Sequence, residues 1–582
     1  MIEPQRQTIH RGSDDLLTAG LGLAGLRAMQ GPAFSDPAQP TPEELRRRAI
    51  WTNWRGIADL SASGGYGQVY GSVAAVPGRE FTAFARVPGA SQPHRVLVQV
   101  PDGFDPARRC VLVAASSGSR GIYGAIAVAG AWGLPKGCAV AYTDKGAGTD
   151  YYDIDSGTGV RLDGTQGEAG EELAFVPETA AAATGVAVKH AHSGDNPEAA
   201  WGLHVKQAAE FALASLAVAF PQSAPYTFDN TRVIAVGISN GAGAVLRAAE
   251  IEGGRVTGDA SWLDAVVAAE PNVFAQAPGS RTLYDYTIEA ALLMPCALLH
   301  LPADSLPQPP LRAQVEPYWA ARCSALREAG VLGGSDTRSQ AESAYEKMRA
   351  NGWTDRALTA GALSVGFDLW RAVAVTYASA YSRTGPGAQP CGFGFFAQDA
   401  DLSPRAATVA ERAVWFAEGS GIAPGTGVGI VDPNQAPPDF TMPGLQCLRG
   451  LQALPPDSIF QRSLAATQAA LPVPGLPVVV IHGLDDGLVP AAFSSAPYVA
   501  ASQAAGRDVR YWQVRNAQHF DGFLALPAYG TRYVPMLPYV YAALDQVSAA
   551  LDGQGPMPSD AIIEATPRGA GAVEVGQFSI PK

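Results

Sequence analysis

Ser239 lies in Gly237-Ile238-Ser239-Asn240-Gly241, between an apolar run that starts at Val233 and a run of small residues that continues to Glu250. Glycines two before and two after a serine are what a sharp strand-to-helix turn requires, because larger side chains there would strike the backbone. Such a turn holds the hydroxyl exposed above the end of a sheet, where it can attack a carbonyl carbon. A serine hydroxyl is hardly ionised at neutral pH, so it needs a base, and the base needs an acid to orient it. The alternative for a short motif in a chain with 64 glycines is an ordinary turn. The strand-compatible run before it and the helix-compatible run after it, with no proline between, favour the nucleophile.

This pattern resembles the α/β-hydrolase fold, in which nucleophile, acid and histidine follow one another along the chain. Five of the eight histidines precede Ser239, which leaves His300, His482 and His519 as bases. His300 follows the apolar run 291–299 in a helical region and reads as a packing or surface residue. His482 ends a strand in I-H-G-L-D-D-G-L-V-P and precedes the acid. His519 comes after the β-rich run 509–514, in N-A-Q-H-F-D-G, and is the expected base. Many α/β-hydrolases end the penultimate strand in H-G-x-x-D-x-x-V-P, and this register places the acid at Asp486. Its neighbour Asp485 is the one-residue alternative, and Glu270, after the strand 265–269, is an earlier-strand alternative.

Ester hydrolysis builds negative charge on the carbonyl oxygen, so hydrogen-bond donors must be aimed there in advance. The backbone N–H of Asn240, directly after the nucleophile, is one expected donor. The second is assigned to the backbone N–H of Ser119 or Arg120, in the loop S-S-G-S-R-G that follows the strand 110–115. The bland alternative is a polar strand-to-helix connection.

The chain further resembles the D-(-)-3-hydroxybutyrate oligomer hydrolase family. The stretches that carry this are S-D-D-L-L-T-A-G-L-G (13–22), P-T-P-E-E-L-R-R-R-A-I (40–50), G-G-Y-G-Q-V-Y-G (64–71), S-S-G-S-R-G-I-Y-G-A-I (116–126), G-C-A-V-A-Y-T-D-K-G (137–146) and S-N-G-A-G-A (239–244), continued by H-G-L-D-D and Q-H-F-D. The resemblance implies cleavage of short (R)-3-hydroxybutyrate oligoesters to monomers during polyhydroxybutyrate degradation, with Ser239 as nucleophile and Asp486 and His519 as partners. It also implies a secreted or periplasmic enzyme; a cytoplasmic one is the alternative. The chain is shorter than the family leads one to expect, so the loops shaping the acyl pocket are expected to differ.

Two rival functions remain at this point. One is an esterase for other polyesters or for aromatic esters, similar to tannases and feruloyl esterases. Those enzymes join the residue before the nucleophile to the residue before the histidine by a disulfide, and here Ile238 and Gln518 stand there. The other is a non-catalytic binding module on a hydrolase fold.

The elements that must position these residues read as a doubly wound, mostly parallel α/β sheet of eight strands: 81–87, 95–100, 110–115, 138–143, 232–238, 265–273, 477–481 and 509–514. Several are continuously apolar, as strands covered on both faces are. Helical runs lie between them, among them 201–220 with Leu203, Ala208, Phe211, Leu213 and Leu216 as its expected apolar face. Residues 1–79 read as an N-terminal extension without a chemical role, 80–275 and 471–582 as two parts of the catalytic core, and 276–470 as a helical cap inserted between the sixth and seventh strands. Within it, 315–329, 339–351 and 406–417 are expected helices, and 385–396 and 419–443 expected loops. Tyr284, Tyr286, Trp319, Trp353, Trp370 and Tyr377 are its candidate pocket aromatics, each more often core than wall.

A formal charge of −13 disfavours nucleic acid as a partner and accords with a neutral oligoester as the small-molecule substrate. Charged residues make up only 16% and hydrophobic ones 47%, which argues for a folded enzyme over a disordered chain. No uninterrupted apolar stretch reaches membrane-spanning length, so no membrane partner is expected, and Asp14 and Asp15 stand where a signal peptide would carry basic residues. The six cysteines permit either pairing or buried thiols; Cys110 and Cys138 begin successive strands and could face each other. His190-Ala191-His192 has no accompanying ligand cluster and reads as a solvated loop instead of a metal site. Gly146-Ala147-Gly148 lacks the third glycine of a nucleotide loop. No metal and no cofactor are expected.

Overall fold

The structure is a computed structural model that describes residues 2–255, 261–307, 312–418 and 427–582. Its central sheet has ten strands: β1 Arg6–His10, β2 Gly78–Ala85, β3 His94–Pro101, β4 Cys110–Ala115, β5 Ala139–Thr143, β6 Arg232–Ile238, β7 Ala265–Ala269, β8 Val478–Gly483, β9 Val509–Val514 and β10 Ala561–Ile563. Their spatial order is β1-β2-β3-β5-β4-β6-β7-β8-β9-β10. The first three strands enter antiparallel, and β5 through β10 run parallel. The expected eight strands are therefore all present, and the count of eight is corrected by two edge strands. Both are short, and neither carries a long apolar run that would mark it in the sequence.

Alternate residues of each central strand feed two different cores. Ile234, Val236 and Ile238 of β6 join one, Val233 and Ala235 the other. Helices Trp201–Ala219 and Asn240–Ala248 cover the second face, while Pro42–Ile57 and Leu537–Leu551 pack into the first core. This double cover explains the uninterrupted apolar strands. On Trp201–Ala219 the buried stripe is Val205, Ala208, Phe211, Ala212 and Leu216, whereas Leu203, expected inside, is 40% exposed.

The N-terminal segment serves both the sheet and the insertion. β1 extends the sheet edge, and Pro42–Ile57 starts with a capping box in which Thr41 accepts from the Glu44 N–H. That helix buries Arg46 against Glu80 of β2 at 2.9 Å and pairs Arg48 with Glu418.

Between β7 and β8 the chain leaves the sheet for a largely helical region that includes Leu283–Ala297, Arg312–Glu328, Thr337–Ala350, Asp355–Gly366 and Leu369–Ser382. It is not free of strands as expected. Gly394–Gln398 pairs with Pro404–Arg405 and Val428–Val431 inside stretches read as loops or left unread, and residues 419–426 of one expected loop lie outside the described residues. These strands are only two to five residues long, too short to show their alternation. A second small sheet, Tyr151–Asp153, Thr158–Val160, Gln166–Glu168 and Val186–Val188, lies between β5 and β6. All six cysteines are paired: Cys110–Cys138 joins the starts of β4 and β5, and Cys296–Cys323 and Cys391–Cys447 both lie in the helical region. Among the described residues no single helix is long and apolar enough to cross a membrane.

Candidate active site

Sheet register brings the site together. Ile238 of β6, Ala269 of β7 and Ile481 of β8 are neighbours in one row, so Ser239, Glu270 and His482 form the next row, at the carboxyl ends of the parallel strands. Ser239 has φ 59° and ψ −128°, a left-handed conformation that costs a non-glycine residue on the order of 1–3 kcal/mol. Its backbone is held in place by Ser239 N–H donating to Ala269 O at 2.9 Å and by Gly243 N–H donating to Ser239 O at 3.0 Å. Both flanking glycines are sterically required. A methyl at Gly237 would lie 2.4 Å from the Gly241 backbone, and one at Gly241 would lie 2.5 Å from the carbonyl oxygen of Ala115.

The loop after β9 delivers His519 to this serine. His519 Nε2 lies 2.8 Å from Ser239 Oγ, and His519 Nδ1 lies 2.6 Å from Asp486 Oδ2. An N–H at Nδ1 donating to the carboxylate leaves the Nε2 lone pair to accept the serine proton. Asp486 is fully buried, which by itself disfavours its charge, but His519 and His482 together with their hydrogen bonds hold its carboxyl below the usual range. Its other oxygen accepts from the N–H groups of Leu488 and Val489 at 2.7 and 2.8 Å. His482 Nε2 lies 3.2 Å from Asp486 Oδ2 and 2.9 Å from the carbonyl of Val489, so it braces the acid instead of serving as base. Asp485 accepts from the Asn516 N–H at 2.9 Å and pairs with Arg356 at 3.6 Å. His300 stacks on Tyr345 in the helical region.

Glu270 is a third carboxyl in this cluster. It is fully buried, has φ 49°, and one of its oxygens lies 3.7 Å from His519 Nδ1. Burial and then the neighbouring Asp486 charge push its carboxyl well above the ordinary glutamate range. Among the described residues, the donor atoms of Glu270, Asp486 and His519 form one grouping within 4.8 Å of metal-ligand type. The Asp486 oxygens in it are already taken by two backbone N–H groups and two imidazoles, a setting suited to moving a proton.

Asn240 opens the helix Asn240–Ala248, where first-turn N–H groups have no partner within the helix. Its side-chain amide donates to Tyr377 OH at 2.7 Å, and its side-chain oxygen accepts from Asn272 at 2.9 Å. Of the two candidates in the loop after β4, Arg120 already donates its N–H to Ser117 O at 3.1 Å, whereas Ser119 N–H has no protein acceptor among the described residues. Lys145, fully buried, donates to Ser116 Oγ at 2.9 Å and to Gly118 O, and so ties this loop to the end of β5. Burial pushes the Lys145 ammonium down to about 7.

A cavity of about 340 Å³ opens over Ser239, Asn240 and Ser119. The insertion and the core loops share its walls, with Leu363, Phe367, Leu369 and Val373 from the insertion and Phe520 and Phe523 from the His519 loop. Of the six aromatics named from the sequence, only Tyr377 lines it; the other five are buried elsewhere. Leu363, Phe367 and Val373 were not singled out, since apolar residues at helical spacing do not show which face they present.

One group was read wrongly. His190 and His192 are not in a solvated loop: they lie in the short helix Lys189–His192 and are each 1% exposed. His192 Nδ1 accepts from the Val188 N–H at 3.1 Å, and His190 bridges Ser119 and Glu198. The sequence signal was the histidine pair; what it lacked was any sign of burial, because the surrounding small sheet is built from three-residue strands.

The profile of one protein family, described as 3HB-oligomer hydrolase (3HBOH), matches residues 3–581. A D-(-)-3-hydroxybutyrate oligomer hydrolase of Paracidovorax citrulli (strain AAC00-1) is 36% identical over 640 residues, covering 97% of this chain and 89% of the relative. One of Cupriavidus metallidurans is 36% identical over 623 residues, covering 96% and 85%. Among solved structures, a rice cell wall degrading esterase, LipA from Xanthomonas oryzae, aligns over 84% of this chain and 94% of its own with 13% identity and a TM-score of 0.35.

Proposed function

Because this chain belongs to the 3HB-oligomer hydrolase family, we propose that it is a serine carboxylic-ester hydrolase that converts short (R)-3-hydroxybutyrate oligomers to monomers. The observation that carries the residue assignment is the unbroken run from Ser239 Oγ through His519 to Asp486, at 2.8 and 2.6 Å. In this reading His519 Nε2 takes the Ser239 proton as Oγ bonds to the ester carbonyl carbon. The backbone N–H groups of Asn240 and Ser119 hold the oxyanion, each contributing roughly 3 kcal/mol if it behaves like other such donors. Collapse breaks the carbon–alkoxy bond, and His519 returns its proton to the departing hydroxyl. Water, deprotonated by the same histidine, then attacks the acyl-enzyme, and the serine leaves with that proton while the acid is released.

We read the helical region between β7 and β8 as a cap that closes the cavity over the reacting ester and favours oligomers over dense polymer. The largely apolar walls and the size of the cavity support a small neutral ester as substrate. Pairing of every cysteine supports residence in an oxidising compartment, the periplasm or the exterior, since disulfides of this kind are rare in the cytosol. Cell fractionation tests that placement, and recovery only with cytosolic markers overturns it.

The deciding assay measures 3-hydroxybutyrate released from dimer, trimer and polymer beside turnover of an aromatic ester. Release from the oligomers is expected to dominate. Turnover of the aromatic ester alone defeats the substrate assignment. Ser239→Ala is expected to lower kcat by about a millionfold while the protein stays folded, and to abolish labelling by a serine-directed organophosphorus probe.

A further inference from the structure

A second serine, histidine and carboxylate stand in line beside the first. Ser119 Oγ lies 2.5 Å from His190 Nδ1, and His190 Nε2 lies 2.7 Å from Glu198 Oε1. All three are buried, at 2%, 1% and 3% exposure, and Ser119 lines the same cavity as Ser239. The His190 ring is fixed edge-on against Tyr377, 4.7 Å between centroids, and Tyr377 in turn receives the Asn240 amide. Ser119 is therefore the cavity-facing end of a built, buried grouping that lies outside the Ser239 relay.

Counting its hydrogens fixes what Ser119 offers. A glutamate carboxylate can only accept, so the imidazole hydrogen sits on Nε2 and points at Glu198. On the neutral ring the other nitrogen carries a lone pair, and Ser119 gives its O–H to it. What remains on Ser119 Oγ is a lone pair with no hydrogen to donate. Next to the reacting ester, this is an acceptor waiting for a donor. The acyl chain of a hydroxybutyrate ester has one donor, the free hydroxyl on its third carbon, when that residue is the end of the oligomer; inside the oligomer the same oxygen is esterified and has no hydrogen. With the ester carbonyl oxygen under the Ser119 N–H, the third carbon lies two bonds from the carbonyl carbon, within the span of the same residue's side chain.

Resting on the function proposed above, we infer that Ser119, set as an acceptor by His190 and Glu198, binds the free 3-hydroxyl of the terminal acyl unit, so that monomers are removed one at a time from the hydroxyl end of the oligomer. Ser119 is thus a specificity-determining residue: its N–H serves the oxyanion and its oxygen serves the hydroxyl. An acyl chain without that hydroxyl leaves the buried acceptor unpaired and is disfavoured.

The test uses the intact enzyme and a 3-hydroxybutyrate trimer methylated at its carboxyl end. The expected first products are free monomer and dimer methyl ester; monomer methyl ester as first product overturns the inference. Methylating the hydroxyl end as well is expected to slow cleavage about ten- to hundredfold, and an unchanged rate overturns it. Ser119→Ala and Glu198→Gln are each expected to shrink the preference for an aryl 3-hydroxybutyrate over the aryl butyrate by about that factor. Equal losses on both esters would confine the Ser119 hydroxyl to holding its loop in place and overturn the inference. Should a variant fail to fold, product order in the unaltered enzyme still decides. A wild-type enzyme that releases nothing from any oligomer defeats the proposed function itself.

Discussion

The molecule holds two serine–histidine–carboxylate groupings whose serines line one cavity, and the imidazoles are reversed between them. His519 turns Nε2 to Ser239 and Nδ1 to Asp486, whereas His190 turns Nδ1 to Ser119 and Nε2 to Glu198. Ser239 stands on a backbone forced to positive φ above the sheet, and its partners sit at the ends of parallel strands. Ser119 and His190 sit in connections between strands. The difference teaches that the hydrogen-bonded trio does not by itself make a nucleophile. The strained turn and the placing of its partners at the ends of the parallel strands favour that role, and these belong to the first grouping.

Substitutions can break or sharpen this contrast. After loss of Ser239 itself, the largest effect is expected from Asp486→Asn, about ten-thousandfold in kcat, because the amide leaves His519 in the wrong tautomer. Steady-state kinetics at fixed pH checks this, and a loss below tenfold would assign the acid elsewhere. Gly241→Ala is expected next. Its methyl must push the carbonyl of Ala115 away, which displaces Asn240 N–H and lowers kcat about a hundredfold with a smaller change in KM. Lys145→Met, which frees the loop carrying Ser119, is expected to lower kcat/KM about tenfold, within the range for one displaced polar contact.

Glu270→Gln is the mildest change and the sharpest for the comparison. Because burial and Asp486 raise its folded value above the ordinary 4.5, the stabilising share of Glu270 is fully present below about that pH. It is lost as pH rises through the folded value. The neutral amide removes that loss, so the variant is expected to gain Tm over wild type as pH rises, with kcat within a few-fold, about the cost of a weak contact. A drop as large as that of Asp486→Asn would instead make Glu270 the orienting acid.

Legibility in the sequence followed the same division. The parallel strands were readable because cover on both faces makes them continuously apolar, and the residues at their ends, Ser239, Asp486 and His519, came with them. β1 and β10 were not readable, being short edge strands with no apolar run. The Ser119 loop was found through its position after β4, but Glu198 and the role of His190 were not. They are brought to it by a small sheet of three-residue strands, too short to show a period. The cavity wall was missed in part for a related reason. Leu363 and Val373 lie on two helices that meet at 80° and Phe367 in the break between them, and sequence spacing within each helix does not reveal that angle.

The crowding around the two glycines that flank Ser239 bears on how this enzyme can be diversified. A library randomised across 237–241 would return glycine at both ends whatever ester is used for selection, since no side chain has room at either place. New acyl preferences must therefore be sought in the wall residues from the helical region, where Phe367 is 55% exposed at the bend and has space to change.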